Sequence, residues 1–202
     1  TYKWSEDTID LIDWNAFGQA FKKLPQPRAT RTTKLTHDWL PTRKHLQDID
    51  NKVDGRCPLC DKLWEDAPHI SRCAHADMTD TRNFHCESLW RALATTTPRV
   101  VIDAMRTGVE QFQQYRKKPK YAVDTTDQVD RKINESFKQQ TAIGWDGFVR
   151  GHISKGWNRL IPLTIDPNSD TRINPNWTQE LIRKMWDIFE EQWKQRNGVL
   201  YG

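Results

Sequence analysis

The stretch RCPLCDKLWEDAPHISRC constrains the fold of this chain more than any other, because it places Cys57, Cys60, His69 and Cys73 within 17 residues. The spacing is C-x2-C-x8-H-x3-C. A Cys-x2-Cys pair bends into a knuckle that turns both sulfurs toward one centre, and Pro58 and Leu59 favour the bend. Eight residues let the chain loop back, and His69 and Cys73, four apart, are expected on one face of a helical turn. Three thiolates and one imidazole complete the tetrahedral shell of a structural zinc ion. With all four positions taken by protein, no place is left for an activated water, so metal-assisted hydrolysis is not expected here. His75, His85 and Cys86 lie close in sequence and are alternative ligands. Cys86 is otherwise expected to be a free, buried thiol.

The four cysteines also bear on the compartment. Four in 202 residues is below the density of a disulfide scaffold. Thiolates that must stay available to a metal point to a reducing, intracellular setting, nuclear or cytoplasmic. No run of 18 apolar residues is present, so neither a transmembrane helix nor a membrane partner is expected. The opening TYKWSEDTID has no apolar leader and no initiator Met, which points to a cut fragment or processed product.

Periodicity makes the chain mainly α: a helical domain with a small embedded zinc knuckle. Apolar residues are only 36% of the sequence, but ten tryptophans offset this, since each brings a large area to a core. A helix is predicted over 5–24, capped by Ser5 and lined by Ile9, Ile12, Ala16 and Ala20, with Pro25 and Pro27 ending it. Further helices are predicted over about 30–40, 42–50, 79–95 (apolar at Phe84, Leu89, Trp90 and Leu93), 99–115 and, capped by Asp127 or Thr126, through 144. In the last of these Ile133, Phe137, Gln140 and Ile143 share a face. Glycines 144, 147, 151 and 156 are costly in a lone helix and signal close packing. The helix at 177–197 carries the clearest stripe, Trp177, Leu181, Met185, Trp186, Phe189 and Trp193, expected to pack on 137–157. Three stretches follow: a helical segment with a basic patch at 1–55, the knuckle at 56–78, and a helical region at 79–202.

Charge is uneven. Residues 22–45 hold Lys22, Lys23, Arg28, Arg31, Lys34, Arg43 and Lys44 against one acid, Asp38, a local +6 that leaves the rest of the chain at −2. A second cluster is Arg116, Lys117, Lys118 and Lys120. Such clusters attract phosphate backbones, and Arg28, Arg31, Lys34, Arg43 and Lys44 with the second cluster are the candidate nucleic-acid contacts. Trp39, set among the first group, is a candidate for stacking on an unpaired base.

The segment from Lys34 to Cys73 resembles the one that follows the polymerase and ribonuclease H regions of non-LTR retrotransposon proteins. The resemblance rests on Lys34, Trp39, Leu40, Pro41 and Thr42, then Cys57, Pro58, Cys60, Glu65, His69, Ile70 and Cys73. The spacing His-x3-Cys is one residue shorter than the usual His-x4-Cys. Downstream, GWDGFVRGHISKGW and WKQRNGVLYG are similar to G-W-x-x-F-x-x-G-x-x-S-x-x-W and W-x-x-R-N-x-x-x-x-G stretches of reverse-transcriptase-like proteins. The resemblance implies a zinc knuckle that helps hold template RNA or target DNA, with the polymerase portion of the same polyprotein as a further partner. It does not imply catalysis by this segment. Some relatives carry a restriction-like nuclease after the knuckle, and Lys118-Pro119-Lys120 with Asp124, Asp127 and Asp130 is the nearest string, although it lacks the Pro-Asp step. An endonuclease segment, active or degenerate, and a domesticated protein-interaction domain are therefore the alternatives.

Overall fold

The computed structural model describes residues 3–61, 64–115, 118–122, 127–164 and 174–202. Among these the chain forms eleven α-helices and no sheet, with two isolated bridges, Ile12 with Ser154 and Arg56 with Trp64. The mainly helical class expected from sequence is observed.

The first predicted helix is two. α1 (Glu6–Leu11) is capped by Ser5, whose Oγ accepts from Thr8 N, as expected. It stops at Ile12, which goes extended to bridge to Ser154, and Asp13 N donates to Ile153 O at 2.9 Å. The Asp13 carboxylate then caps α2 (Trp14–Lys22) by accepting from Ala16 N. Tertiary pairing thus overrides a continuous apolar stripe, and Ile9 is left exposed while Ile12, Ala16 and Ala20 are buried. α3 (Gln26–Thr36) begins earlier than predicted, because a proline in the first turn lacks only an N–H that would go unused. α4 (Arg43–Ile49) is capped by Thr42.

After the knuckle come α5 (Ala67–Ile70), α6 (Ala76–Leu93) and α7 (Arg99–Gln113). On α6 the buried face is Met78, Arg82, Leu89, Trp90 and Leu93, whereas Phe84, counted with the apolar residues of this helix, points to solvent. α8 (Gln128–Ile143) is capped by Asp127, one of the two expected candidates, and buries the expected Ile133, Phe137, Gln140 and Ile143. The 144–157 stretch is not one helix. It breaks into α9 (Trp145–Val149), a buried irregular turn, and α10 (Lys155–Thr164).

Gln140 organises that turn. Its Oε1 accepts from Ser154 N at 2.9 Å and from Trp157 Nε1 at 3.3 Å, and its Nε2 donates to His152 O at 3.1 Å. A completely buried amide stays favourable only because both ends are used. Gly151 has φ +94°, and a Cβ there would lie 2.7 Å from Trp186 Nε1. This is the close approach that the glycines predicted.

The last helix, α11 (Trp177–Tyr201), runs beyond Asn197 and buries Trp177, Leu181, Met185, Trp186 and Phe189, with Trp193 half-buried. It packs chiefly on α2 and α6 and only secondarily on α9 and α10, which corrects the expected pairing with 137–157. Trp186 Nε1 donates to Arg150 O at 2.8 Å and Trp177 Nε1 to Thr97 Oγ1 at 2.7 Å, so each indole buries its area without stranding its N–H. The buried apolar cluster draws on all three stretches, including Leu35, Cys57, Ile70, Cys73, Met105 and Trp186. No helix among the described residues is long and apolar enough to cross a membrane.

Candidate metal centre

Backbone contacts shape the knuckle around its ligands. Arg56 and Trp64 form an antiparallel bridge, and Glu65 N donates to Gly55 O at 2.9 Å, closing the loop that holds Cys57 and Cys60. Asp61, at φ +51°, turns the chain after the second cysteine, with its N–H on Cys57 O at 2.8 Å. Asp66 caps α5 through His69 N at 2.7 Å, which seats the histidine on a single helical turn. The sequence placed His69 and Cys73 together on a helix; instead α5 ends at Ile70 and Cys73 lies beyond it. Arg82 from α6 holds that outgoing strand of chain by donating Nη1 to Cys73 O at 2.9 Å.

The result is a cluster in which one ligand atom from each of Cys57, Cys60, His69 and Cys73 lies within 4.8 Å of every other. Cys57, His69 and Cys73 are buried and Cys60 is partly so. Cys57 Sγ is 3.8 Å from Cys73 Sγ, and Cys60 Sγ is 3.5 Å from His69 Nε2. A tetrahedral ion with bonds of about 2.3 Å to sulfur and about 2.05 Å to nitrogen sets these edges at about 3.8 Å and about 3.6 Å. The donor set therefore fits a closed four-coordinate metal ion. The sulfur separation is far beyond a disulfide bond, and all four cysteines are free. Between Cys57 and Cys73 alone, the Cys73 thiol donates to Cys57 and holds it well below the usual thiol range, while Cys73 is pushed up. One sulfur of the pair is thus disposed to carry negative charge.

Two further shells support the cluster. Tyr115 Oη lies 3.3 Å from His69 Nδ1 and donates to Arg72 O at 2.9 Å, while the Arg72 guanidinium sits 4.6 Å from the centre of the Tyr115 ring. Glu65, buried in the knuckle loop, receives both Arg196 Nε (2.9 Å) and Arg196 Nη2 (2.7 Å) from α11, and Arg43 N at 2.8 Å. Burial works against the Arg196 charge, but the Glu65 carboxylate more than offsets this and its pKa is raised. The knuckle is thereby tied to the last helix and to the start of α4. Glu65 and Arg196 stand inside the two sequence motifs, yet their spacing gives no sign that they meet. Tyr115 carries no motif at all.

The alternative ligands stay outside. His75 precedes α6 with Nδ1 3.9 Å from Asp77 Oδ2, and His85 lies edge-on to Phe84. Cys86 is free but half-buried rather than buried; Gln113 Nε2 is 3.9 Å from its sulfur, and burial pushes the thiol up to about 11.

The candidate nucleic-acid residues divide. Arg28 pairs with Asp187 and, through Nε at 3.0 Å, with Glu190; Arg31 pairs with Glu190 at 2.7 Å. These two fasten α3 to α11. Lys44 pairs with Asp48. Lys34, Arg43, Lys118 and Lys120 have no ion pair among the described residues, and all but the half-buried Arg43 are exposed. Arg116 and Lys117 lie outside the described residues, as does Asp124. Trp39 is 60% exposed and stacks on His37 at 5.1 Å. Asp127 uses its carboxylate to cap α8, accepting from Val129 N, and Asp130 falls in the first turn of that helix.

No family model, curated protein or solved structure matches the chain.

Proposed function

We propose that the chain is a zinc-stabilised nucleic-acid-binding module that holds single-stranded or structured RNA, or target DNA, for a retroelement-derived protein. Three thiolates and an imidazole are the donor set that selects zinc among abundant divalent ions, and four protein ligands give zinc a structural role. The knuckle resembles that of non-LTR retrotransposon proteins, which supports the same reading and makes a polymerase region a candidate partner.

The observation that carries nucleic-acid binding is the surface between α3 and α4. Lys34 and Arg43, which form no ion pair among the described residues although the Asp54 carboxylate feels the Arg43 charge, flank in sequence an indole that is 60% exposed. Cations contact phosphates without reading sequence, and an open indole offers a face to an unpaired base. The test is RNA binding measured across a salt series. Affinity for a single-stranded oligonucleotide should fall steeply with salt, and the double variant Lys34→Ala, Arg43→Ala should flatten the slope by about one to two units. Trp39→Ala should weaken binding by about 1–3 kcal/mol without changing that slope. An unchanged slope in the double variant moves the contact to Lys118 and Lys120. No binding at low salt overturns the proposal in favour of a protein-interaction domain.

A further inference from the structure

We propose that Tyr115 is a positioning residue for the metal centre, fixing which nitrogen of His69 faces the ion; this rests on the metal reading of the Cys57, Cys60, His69 and Cys73 cluster. The chain of hydrogen bonds leaves little freedom. His69 Nε2 is the nitrogen on the sulfur side, 3.5 Å from Cys60 Sγ, and Nδ1 faces the Tyr115 hydroxyl at 3.3 Å. That hydroxyl lies 2.9 Å from Arg72 O, a carbonyl that can only accept. Its single proton is therefore committed to Arg72, and it meets Nδ1 with a lone pair. Nδ1 must then carry the imidazole proton, and the lone pair of Nε2 is left pointing at the three sulfurs. An imidazole oriented in this way is a stronger and better-aimed ligand than one free to rotate and change tautomer.

Tyr115 also ends α7. It sits just past the end of α7 at φ +60°, a left-handed conformation uncommon for a residue other than glycine. A left-handed residue at this position is a common helix end, usually glycine, and the tyrosine that stands here is held by contacts on both its backbone and its ring. Here those contacts are Tyr115 N on Phe112 O at 2.9 Å and the Arg72 guanidinium over the ring. Arg72 both supplies the carbonyl and clamps the ring, and it directly precedes the ligand Cys73. The end of α7 is thereby joined to the metal loop across 46 residues of chain.

Tyr115→Phe removes the hydroxyl and keeps the ring, the clamp and the backbone. Zinc affinity, measured by competition with a chromophoric chelator, should fall about 10–100-fold in Tyr115→Phe, while Cys86→Ser leaves it unchanged. Nitrogen-15 NMR of the zinc-loaded wild type gives a readout independent of any variant: His69 should show a slowly exchanging Nδ1–H with zinc on Nε2. Equal affinity in Tyr115→Phe, or zinc on Nδ1, overturns the inference. A wild-type chain that binds no zinc overturns the metal reading itself.

Discussion

Glu65 and Arg196 are 131 residues apart in sequence and meet in the interior through two hydrogen bonds. Removing one member strands the other as a buried charge, so Arg196→Met should lower stability by about 3–5 kcal/mol in urea unfolding. Adding Glu65→Leu to that variant should recover part of the loss, since two apolar groups leave no unpaired charge; a double variant as costly as the two single changes summed would show that the residues act separately. His152 provides a second test at this scale. It is buried, stacked on Phe17 at 5.4 Å and edged by Trp4 and Trp14. Burial first, then the Arg150 charge, lowers its pKa from 6.5 to about 3. The unfolded chain therefore binds a proton that the folded chain refuses. Stability contributed by neutral His152 is complete above pH 6.5 and is lost as pH falls toward 3, at about 1.4 kcal/mol per unit. The protein should be about 2 kcal/mol less stable at pH 5 than at pH 7, and His152→Phe should flatten that interval. A wild-type stability that is level from pH 7 to 5 contradicts the assignment.

At the scale of elements, much of the helical pattern was readable. Local signals placed Ser5 as a cap, narrowed the α8 cap to Asp127 or Thr126, and found the apolar stripes of α8 and α11. What local signals missed were the breaks. Ile12 leaves the helix for a bridge to Ser154 across the fold, and Gln140 draws 152–157 into a turn. Neither depends on residues nearby in sequence. The tetrad was legible because its ligands lie within 17 residues, whereas Tyr115 reaches His69 from the end of α7 and Arg196 reaches Glu65 from α11. Gly108 was also invisible: it lies inside α7, and a Cβ there would come within 2.1 Å of the Trp145 ring. On an open helix Gly→Ala stabilises by about 1 kcal/mol. Here the buried indole has to move, so Gly108→Ala should destabilise by a net 1–3 kcal/mol. A raised melting temperature in that variant would place Trp145 elsewhere.

Across the whole molecule, the cysteine–histidine cluster is part of the core rather than an appendage. Cys57 and Cys73 belong to the same buried cluster as Trp186 and Phe189, and Glu65 ties the knuckle to α11. Loss of the metal should therefore lower the melting temperature of the entire chain in a single transition, instead of loosening only residues 42–80. The central claim is that Cys57, Cys60, His69 and Cys73 hold one zinc ion. Native mass spectrometry of protein kept reduced and never exposed to chelator tests it most directly. The account predicts one zinc per chain, lost in Cys60→Ser; less than half an equivalent in the wild-type protein, or full occupancy in Cys60→Ser, would contradict it.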